Sequence, residues 1–346
     1  MSLLLSDYRT GGADAGIVDL ITETMVSESQ LLNVLTFDEL TDNNVSRQRM
    51  YEESDVQEHS VGDTWAVVNP TWVSRDAPLT ILGDNVTVDN FGTLGAGTKF
   101  ATLMASQIQE KARGMSRRFD RLAIYANTTS TGRLSGSVMV GLLEHIARVE
   151  GASVTDLDGW LYSSPANYDS ANNKQVVQAA SGTATALTLA MVDVLRDTVR
   201  PKATAFIMSR ASRRKIEALA RAAGTNMEIR EAKLGQRILN WDGIDILVND
   251  EIKDNMDDAT AVVTDISSYN YDQASSGTAD SSPIFAVAIG PKDFTGINGV
   301  GLVQVEDLAG GGAMETLDAK GKRVKAYLGT ALRKKEAAAV LVNAIP

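Results

Sequence analysis

The chain contains no cysteine and only two histidines, His59 and His145. Without thiols it can form neither disulfides nor thiolate metal sites, and it has no cysteine nucleophile. The two histidines lie far apart in sequence, which argues against a histidine-based triad or zinc site. The sequence also lacks a GxSxG nucleophile elbow and a GxxxxGK(S/T) phosphate loop. These absences predict a protein that is not an enzyme and that uses no metal or other cofactor.

Long apolar runs are also absent, so the sequence predicts no transmembrane helix. The beginning, MSLLLSDYR, lacks the basic region and the cleavage site of a secretory signal. The 346 residues are 44% hydrophobic, which is enough for the core of one large or two ordinary domains. We therefore expect a soluble intracellular product that does not contact a membrane.

Basic residues are scarce in the first part of the chain. Sixteen acidic and four basic residues precede Lys99, a net charge of −12, whereas the rest of the chain has 28 acidic and 29 basic residues. This asymmetry indicates either a solvated acidic extension or a segment that lies on a basic surface.

Residues 98–127 show the longest helical pattern in the sequence. Apolar residues recur at helical spacing on one face, and Thr98 after a glycine-rich loop is a candidate N-cap. The other face carries six basic residues against Glu110 and Asp120, a net charge of +4. Such a face is often simply solvated, and it can also be a binding surface.

The segments on either side of this helix predict an α+β protein. Residues 17–35 have the pattern of a short amphipathic helix with little of its own chain nearby to pack on. This pattern is typical of an extended arm. Residues 45–90 favour extended segments, with Trp65 and Trp72 among them, and a long hairpin of this kind is marginal alone in water. After residue 186, short strands alternate with helices, including a strand in ATAFIMS and a helix from Arg210 that Gly224 ends.

This order of elements resembles the HK97-like fold of the major capsid proteins of tailed bacteriophages. The stretches RRFDRLAIYAN, AFIMSRASRRKIEAL, KLGQRILNWDGIDILVNDEI and KRVKAYLGTALRKKEAAAVLVNAIP also look like that family. The resemblance covers nearly the whole chain, although its motifs are diffuse. It implies an N-terminal arm at residues 1–45, an extended loop (E-loop) at 46–96, a peripheral domain with the long spine helix at 97–149 and 314–346, and an axial domain at 150–313.

The resemblance implies an icosahedral shell of pentamers and hexamers that encloses double-stranded DNA. Its subunit would be assembled in the host cytoplasm, would mature from a procapsid, and would end in the virion. The implied partners are the chain itself, a scaffolding protein, a portal protein, a decoration protein in some shells, and packaged DNA bound non-specifically. Candidate contacts of the E-loop are Tyr51, Trp65, Trp72 and Arg75. The candidate basic face of the spine helix consists of Lys111, Arg113, Arg117, Arg118 and Arg121.

Several alternatives stay open at this stage. The basic face could meet the acidic first 98 residues of a neighbouring subunit, or it could line the interior and contact DNA phosphates. A second alternative is an encapsulin-like nanocompartment, which shares the fold and encloses a protein cargo. The third alternative is a soluble α/β enzyme. Some family members cross-link an E-loop lysine, but no lysine precedes Lys99 here, so we expect a shell without that bond.

Overall fold

A computed structural model gives the architecture. It describes residues 3–4, 15–40, 45–51, 58–64, 72–89, 100–126, 128, 137–149, 175–178, 185–224, 227–231, 237–252, 282–308, 319–342 and 344–346. The α-helices in these ranges are α1 (Ala15–Glu28), α2 (Gln30–Val34), α3 (Phe100–Tyr125), α4 (Leu142–Val149), α5 (Leu189–Thr198) and α6 (Arg210–Ala222).

The strands of the first half of the chain are β1 (Leu3–Leu4), β2 (Thr36–Leu40), β3 (Val45–Tyr51), β4 (Trp72–Pro78), β5 (Thr80–Asp89), β6 (Val176–Gln178), β7 (Thr185–Ala186) and β8 (Ala205–Met208). Those of the second half are β9 (Glu228–Glu231), β10 (Arg237–Trp241), β11 (Ile244–Val248), β12 (Ile284–Val287), β13 (Phe294–Asp307), β14 (Ala319–Leu332), β15 (Ala338–Val342) and β16 (Ala344–Ile345).

Two sheets organise the chain. One has the strand order β1-β2-β13-β14-β5, and the other has the order β6-β15-β12-β8-β11-β10-β9. Every residue of β8, β12 and β15 is buried, which agrees with their continuous apolar sequences. The small pairs β3–β4 and β7–β16 complete the described strands.

The long helix α3 matches the prediction for residues 98–127. Ile108, Ala112 and Phe119 have no exposed surface, and Phe119 packs on Phe37 of β2 with ring centroids 6.4 Å apart. The helix lies against α1 and β5, and so its apolar stripe belongs to the main core. The proposed N-cap Thr98 lies outside the described residues.

The expectation that the N-terminal helix has little of its own chain to pack on is wrong. Ile21 and Met25 of α1 have no exposed surface, and neither does Leu32 of α2. The Ser116 hydroxyl of α3 donates a hydrogen bond to the Met25 carbonyl at 3.0 Å. The apolar face of α1 therefore finds its partner in α3, about 90 positions later in the chain, which periodicity alone does not reveal.

The predicted hairpin is present, but not all of residues 45–90 belong to it. Strands β3 and β4 pair antiparallel from Val45–Pro78 to Tyr51–Trp72. The third extended segment, β5, does not continue the hairpin, because all ten of its residues pair with β14 from Asp89–Ala319 to Thr80–Leu328. β5 therefore belongs to the five-stranded sheet.

Both sheets contain strands from each side of the predicted boundary between residues 313 and 314. β13, which was predicted in the axial domain, pairs with β14 of the predicted peripheral domain. Conversely β15, predicted as peripheral, pairs with β12 and β6 in the seven-stranded sheet.

Candidate assembly surface

A groove lies between the start of β5, the middle of α3 and residues 137–138. Its volume is 640 Å³, and Ile81, Asp84, Lys111, Gly114, Arg118 and Val138 are among its lining residues. Met115 and Leu122 of α3 form buried parts of its wall. We call this feature the β5–α3 groove.

Two large apolar side chains in the β5–α3 groove face solvent. Ile81 is 65% exposed and Val138 is 56% exposed. In β5 the buried residues Leu82, Val86 and Val88 alternate with exposed ones, so Ile81 points away from the core. Exposed apolar side chains gathered beside charges are typical of a surface that another molecule covers.

Gly114 leaves space in the wall of the groove. A Cβ atom added there would meet nothing within 4 Å. A glycine inside a helix costs roughly 0.5–1 kcal/mol relative to alanine, so Gly114 does not serve helix stability. Its effect is to lower the helix surface between Lys111 and Arg118.

The basic face of α3 is partly neutralised within the chain. Lys111 donates a hydrogen bond to Asp84 of β5. This bond, followed by the backbone N–H of Asn85, holds the pKa of Asp84 below its ordinary value of 3.8. Arg113 lies 3.2 Å from a carboxylate oxygen of Glu28 and 2.7 Å from one of Glu110. Asp84 and Glu28 both belong to the acidic first part of the chain.

The remaining basic residues of this face differ in exposure. Arg117 and Arg118 are exposed, and among the described residues neither forms an ion pair, whereas Arg121 is half-buried. Of the five predicted basic residues, Lys111 and Arg118 line the groove. The sequence did not single out Ile81, Gly114 or Val138, although an isoleucine on the polar face of an alternating strand was a readable signal.

The predicted E-loop contacts lie in or beside the hairpin. Tyr51 pairs with Trp72, and Arg75 pairs with Gln48, in the β3–β4 ladder. Trp65 lies outside the described residues.

Residues 58–64, between the two hairpin strands, form an acidic turn. The Ser60 N–H donates to an Asp63 carboxylate oxygen at 2.6 Å, and the Asp63 N–H donates to the Ser60 carbonyl at 3.1 Å. Gly62 has a φ of +101°, which favours glycine, and its neighbour Val61 is completely exposed. We call residues 58–64 the hairpin tip.

Other kinds of site are not found in the described part of the chain. No three His, Asp or Glu side chains there come together as a metal site. No helix there has both the length and the apolar character needed to cross a membrane.

No model of a known protein family matches the sequence, and no similar sequence is found among curated proteins. Solved structures are similar. The encapsulin of the holo-SrpI encapsulin complex from Synechococcus elongatus PCC 7942 is 13% identical, with a TM-score of 0.60 over 91% of this chain and 87% of that one. The capsid of an empty GTA particle is 11% identical, with a TM-score of 0.53 over 92% and 90%. A structure from Mycobacterium phage Bobi is 13% identical, with a TM-score of 0.51 over 91% and 90%.

These likenesses extend over nearly the full length of both chains in each comparison. Together with the long helix, the hairpin and the two sheets, they show that the chain has the HK97-like fold, an α+β fold found in phage capsids and encapsulins. At 11–13% identity the likeness establishes the fold alone.

Proposed function

We propose that the chain is a shell subunit, the major capsid protein of a tailed bacteriophage, which self-assembles into hexamers and pentamers around double-stranded DNA. The observation that carries this proposal is the full-length HK97-like fold shared with phage and GTA capsids. The proposed division into arm, E-loop, peripheral domain and axial domain belongs to the same function. Scaffolding, portal and decoration proteins are its proposed partners.

The hairpin and the groove supply a route for self-association. The hairpin begins where β5 begins, so Pro78 lies beside Thr80 of the groove. Seven paired residues at about 3.3 Å each carry the hairpin roughly 23 Å along its axis before the tip. We infer that, at this length, the hairpin tip reaches beyond its own chain. We therefore propose that it docks on the groove of a neighbouring copy.

Charge and shape support this assignment. Residues 52–63 contain five acidic residues and no lysine or arginine. The receiving surface offers Arg117 and Arg118, and the exposed Val61 of the tip matches the exposed apolar pair Ile81 and Val138. Complementary charge of this kind mainly sets register and association rate.

An encapsulin-like nanocompartment is the second candidate, because the TM-score to the encapsulin complex, 0.60, exceeds those to the phage and GTA structures reported above. In that case the shell would enclose a protein cargo. In either kind of shell the basic face of α3 could line the interior. Contact of this face with DNA is the alternative to its contact with a neighbouring subunit.

The test is negative-stain electron microscopy with light scattering on the full-length chain, expressed alone and with a candidate scaffolding protein. Closed shells, tubes or hexamer sheets are expected. A monomer that persists in both preparations would contradict shell formation. Nuclease treatment of particles from their natural source then separates the candidates, since a capsid retains protected double-stranded DNA and a nanocompartment retains a protein cargo.

A further inference from the structure

Strand β5 is the last strand of the five-stranded sheet. On one side it pairs with β14 along its whole length, and in the described part of the chain no strand lies on its other side. An edge of this kind presents unpaired backbone N–H and C=O groups, to which a further extended segment can bind. The β5–α3 groove therefore has to be considered for its backbone groups as well as for its side chains.

A contact of Asp84 shows which backbone groups of β5 face away from β14. The Asn85 N–H donates to Oδ1 of Asp84 at 2.8 Å, so this N–H is directed at the open side of the strand. Successive residues of a strand in an antiparallel pair direct their N–H and C=O groups to opposite sides. Ile81 and Gly83, four and two positions before Asn85, therefore share its outward direction.

The β5–α3 groove runs along this open edge. Five consecutive residues, 80–84, line the groove, whereas a strand seen from one face presents only every second residue. The opposite wall is formed by Lys111, Met115 and Arg118 of α3, which follow one another at three- and four-residue spacing on one side of the helix. A groove with a strand edge on one side and a helix on the other has the shape that an extended segment fills.

Lys111 and Asp84 close one end of the open edge. The Asp84 carboxylate accepts hydrogen bonds both from Lys111 and from the Asn85 N–H, so the outward N–H of Asn85 already has a partner. Charged side chains at a sheet edge are a usual means of preventing further strand pairing. Residues 80–83 carry no charge, and Ile81 is 65% exposed. The stretch that is open to a partner therefore ends at Gly83.

Residues 65–69 follow the hairpin tip directly and match this edge in composition. They lie outside the described residues, and their sequence, WAVVN, contains no charge and is rich in residue types that favour strands. Residues 52–57, which precede the tip, contain three acidic residues and no aromatic residue. Beside Asp84 those acidic residues would meet a charge of their own sign. Of the two segments that flank the tip, residues 65–69 are therefore the better partner.

We propose that residues 65–69 of one copy add to the open edge of β5 in a neighbouring copy as a further β-strand. Backbone hydrogen bonds to Ile81 and Gly83 hold the added strand, and the Asp84–Lys111 pair limits its length. The inference rests on the docking of the hairpin tip proposed above, and it specifies the segment that binds and its mode of binding. Backbone pairing would fix the register of the hairpin on its neighbour, which attraction between charges alone does not do.

Cysteine cross-linking in particles of the full-length chain tests this mode of binding. The chain has no cysteine of its own, so every disulfide comes from an introduced pair. Ile81→Cys is combined in turn with a cysteine at each position from 65 to 69, and disulfides between copies appear as multiples of 37.0 kDa. Either positions 65, 67 and 69 or positions 66 and 68 should cross-link at least about fivefold more than the others, because alternate side chains lie on opposite faces of a strand.

Thr87→Cys, in place of Ile81→Cys, is the matched control. Thr87 is exposed on the same face of β5, but it lies beyond Asp84, six residues or about 20 Å from Ile81, and should give no ladder with any of the five positions. Particles that assemble but show equal cross-linking at all five positions, or none, would overturn strand addition and leave shell formation in place. If the wild type forms no assembly at all, the proposed function fails and this inference fails with it.

A second comparison addresses the backbone donor itself. Ile81→Pro removes the outward N–H and leaves the bonds between β5 and β14 in place, whereas Ile81→Thr keeps the N–H and a β-branched side chain. Both variants lose the isoleucine, and the yield of particles should be about tenfold lower for Ile81→Pro than for Ile81→Thr. Equal yields from the two variants, with equal thermal unfolding of their subunits, would overturn the proposal. If Ile81→Pro does not fold, the alternation of the cross-links decides.

Discussion

A guanidinium nitrogen of Arg148 lies 2.6 Å from a carboxylate oxygen of Glu144, a side chain with no exposed surface. The same carboxylate accepts hydrogen bonds from the Thr128 N–H at 3.0 Å and from the Thr128 hydroxyl at 2.6 Å. One buried acidic side chain thus joins α4 to the segment that follows α3.

Glu144→Ala should therefore destabilise the chain by about 3–5 kcal/mol, because it removes a fully buried carboxylate that accepts from the Thr128 N–H and pairs with the largely buried Arg148. Urea denaturation of the subunit measures this change. Glu217→Ala is the control, since Glu217 and Arg221 form an ion pair at the same helical spacing, 3.5 Å apart, on the exposed side of α6. Glu217→Ala should lower the free energy of unfolding by less than 1 kcal/mol. Equal costs for the two variants would show that the buried contacts of Glu144 contribute little.

Two glycines should respond in opposite directions to alanine. A Cβ at Gly141 would lie 2.6 Å from the Ala126 nitrogen and 2.8 Å from the Ala126 oxygen, both of which are backbone atoms that cannot move aside cheaply. Gly141→Ala should therefore lower the free energy of unfolding by roughly 1–3 kcal/mol or more. Gly114→Ala, in open space on α3, should stabilise by about 0.5–1 kcal/mol. Thermal unfolding of both variants distinguishes these outcomes, and destabilisation by Gly114→Ala would contradict the open groove wall.

Local patterns predicted the helices better than the sheets. The apolar spacing of residues 98–127 predicted α3, and Gly224, which has a φ of +70°, ends α6 beside the predicted position. The Asp242–Gly243 pair also carried a readable signal for the β10–β11 turn, because both residues have positive φ.

The sequence could not predict contacts between distant segments. The partners of β15 are β12 and β6, and nothing in the apolar run AAVLV distinguishes one sheet from the other. The pairs Lys111–Asp84 and Arg113–Glu28 likewise join residues 27 and 85 positions apart. The sequence therefore predicted which basic residues form this face of α3. It did not predict that acidic residues of the same chain neutralise part of it. The β5–α3 groove escaped prediction for the same reason.

His145 should make the chain sensitive to acid. Its pKa falls from 6.5 to about 3, mainly because burial disfavours the charged form; the contact of its Nε2 with the Thr330 carbonyl at 3.2 Å opposes the fall, and nearby Arg148 adds to it. Since the unfolded state binds the proton first, stability should be complete above pH 6.5 and should fall by about 1.4 kcal/mol per pH unit between 6.5 and 3.

His145→Gln can keep a donor for the Thr330 carbonyl and cannot take up a proton. Measured by urea denaturation between pH 6.5 and 4, the wild type should therefore lose about 3 kcal/mol more than this variant. His59→Gln is the matched control at the chain's other histidine and should keep the wild-type dependence. An identical acid response in His145→Gln would assign the acid sensitivity to other groups.

Purified shells should contain no covalent multimers. No lysine precedes Lys99, so the hairpin cannot supply the amine of an isopeptide bond, and there are no cysteines for disulfides. Intact particles boiled in detergent should release a single band of about 37.0 kDa. A ladder of multiples of that mass would contradict the expectation that the shell is held by non-covalent contacts.

Reversing the free charges beside the groove should weaken assembly. Arg117→Glu with Arg118→Glu replaces two exposed cations that have no described ion-pair partner, at the surface proposed to receive the acidic hairpin tip. Adding Arg121→Glu should increase the loss, although part of that increase would come from altering a half-buried side chain. Light scattering during assembly should show a slower rate and a lower yield, with a larger deficit at low salt, because screening at high salt weakens attraction and repulsion alike.

The control makes the same change in net charge away from the groove, with Arg214→Glu and Arg221→Glu on the exposed face of α6. If overall charge were the cause, both double variants would assemble equally poorly, whereas docking on the groove requires that the α3 variant assemble less well than the α6 variant.

A compensating variant gives a stronger test. Glu58→Lys with Asp63→Lys in the hairpin tip should restore assembly of the α3 double variant and should impair it in the wild-type background. Unchanged assembly of the α3 variant at low salt would show that this face does not receive the tip, and would favour its contact with nucleic acid inside the shell.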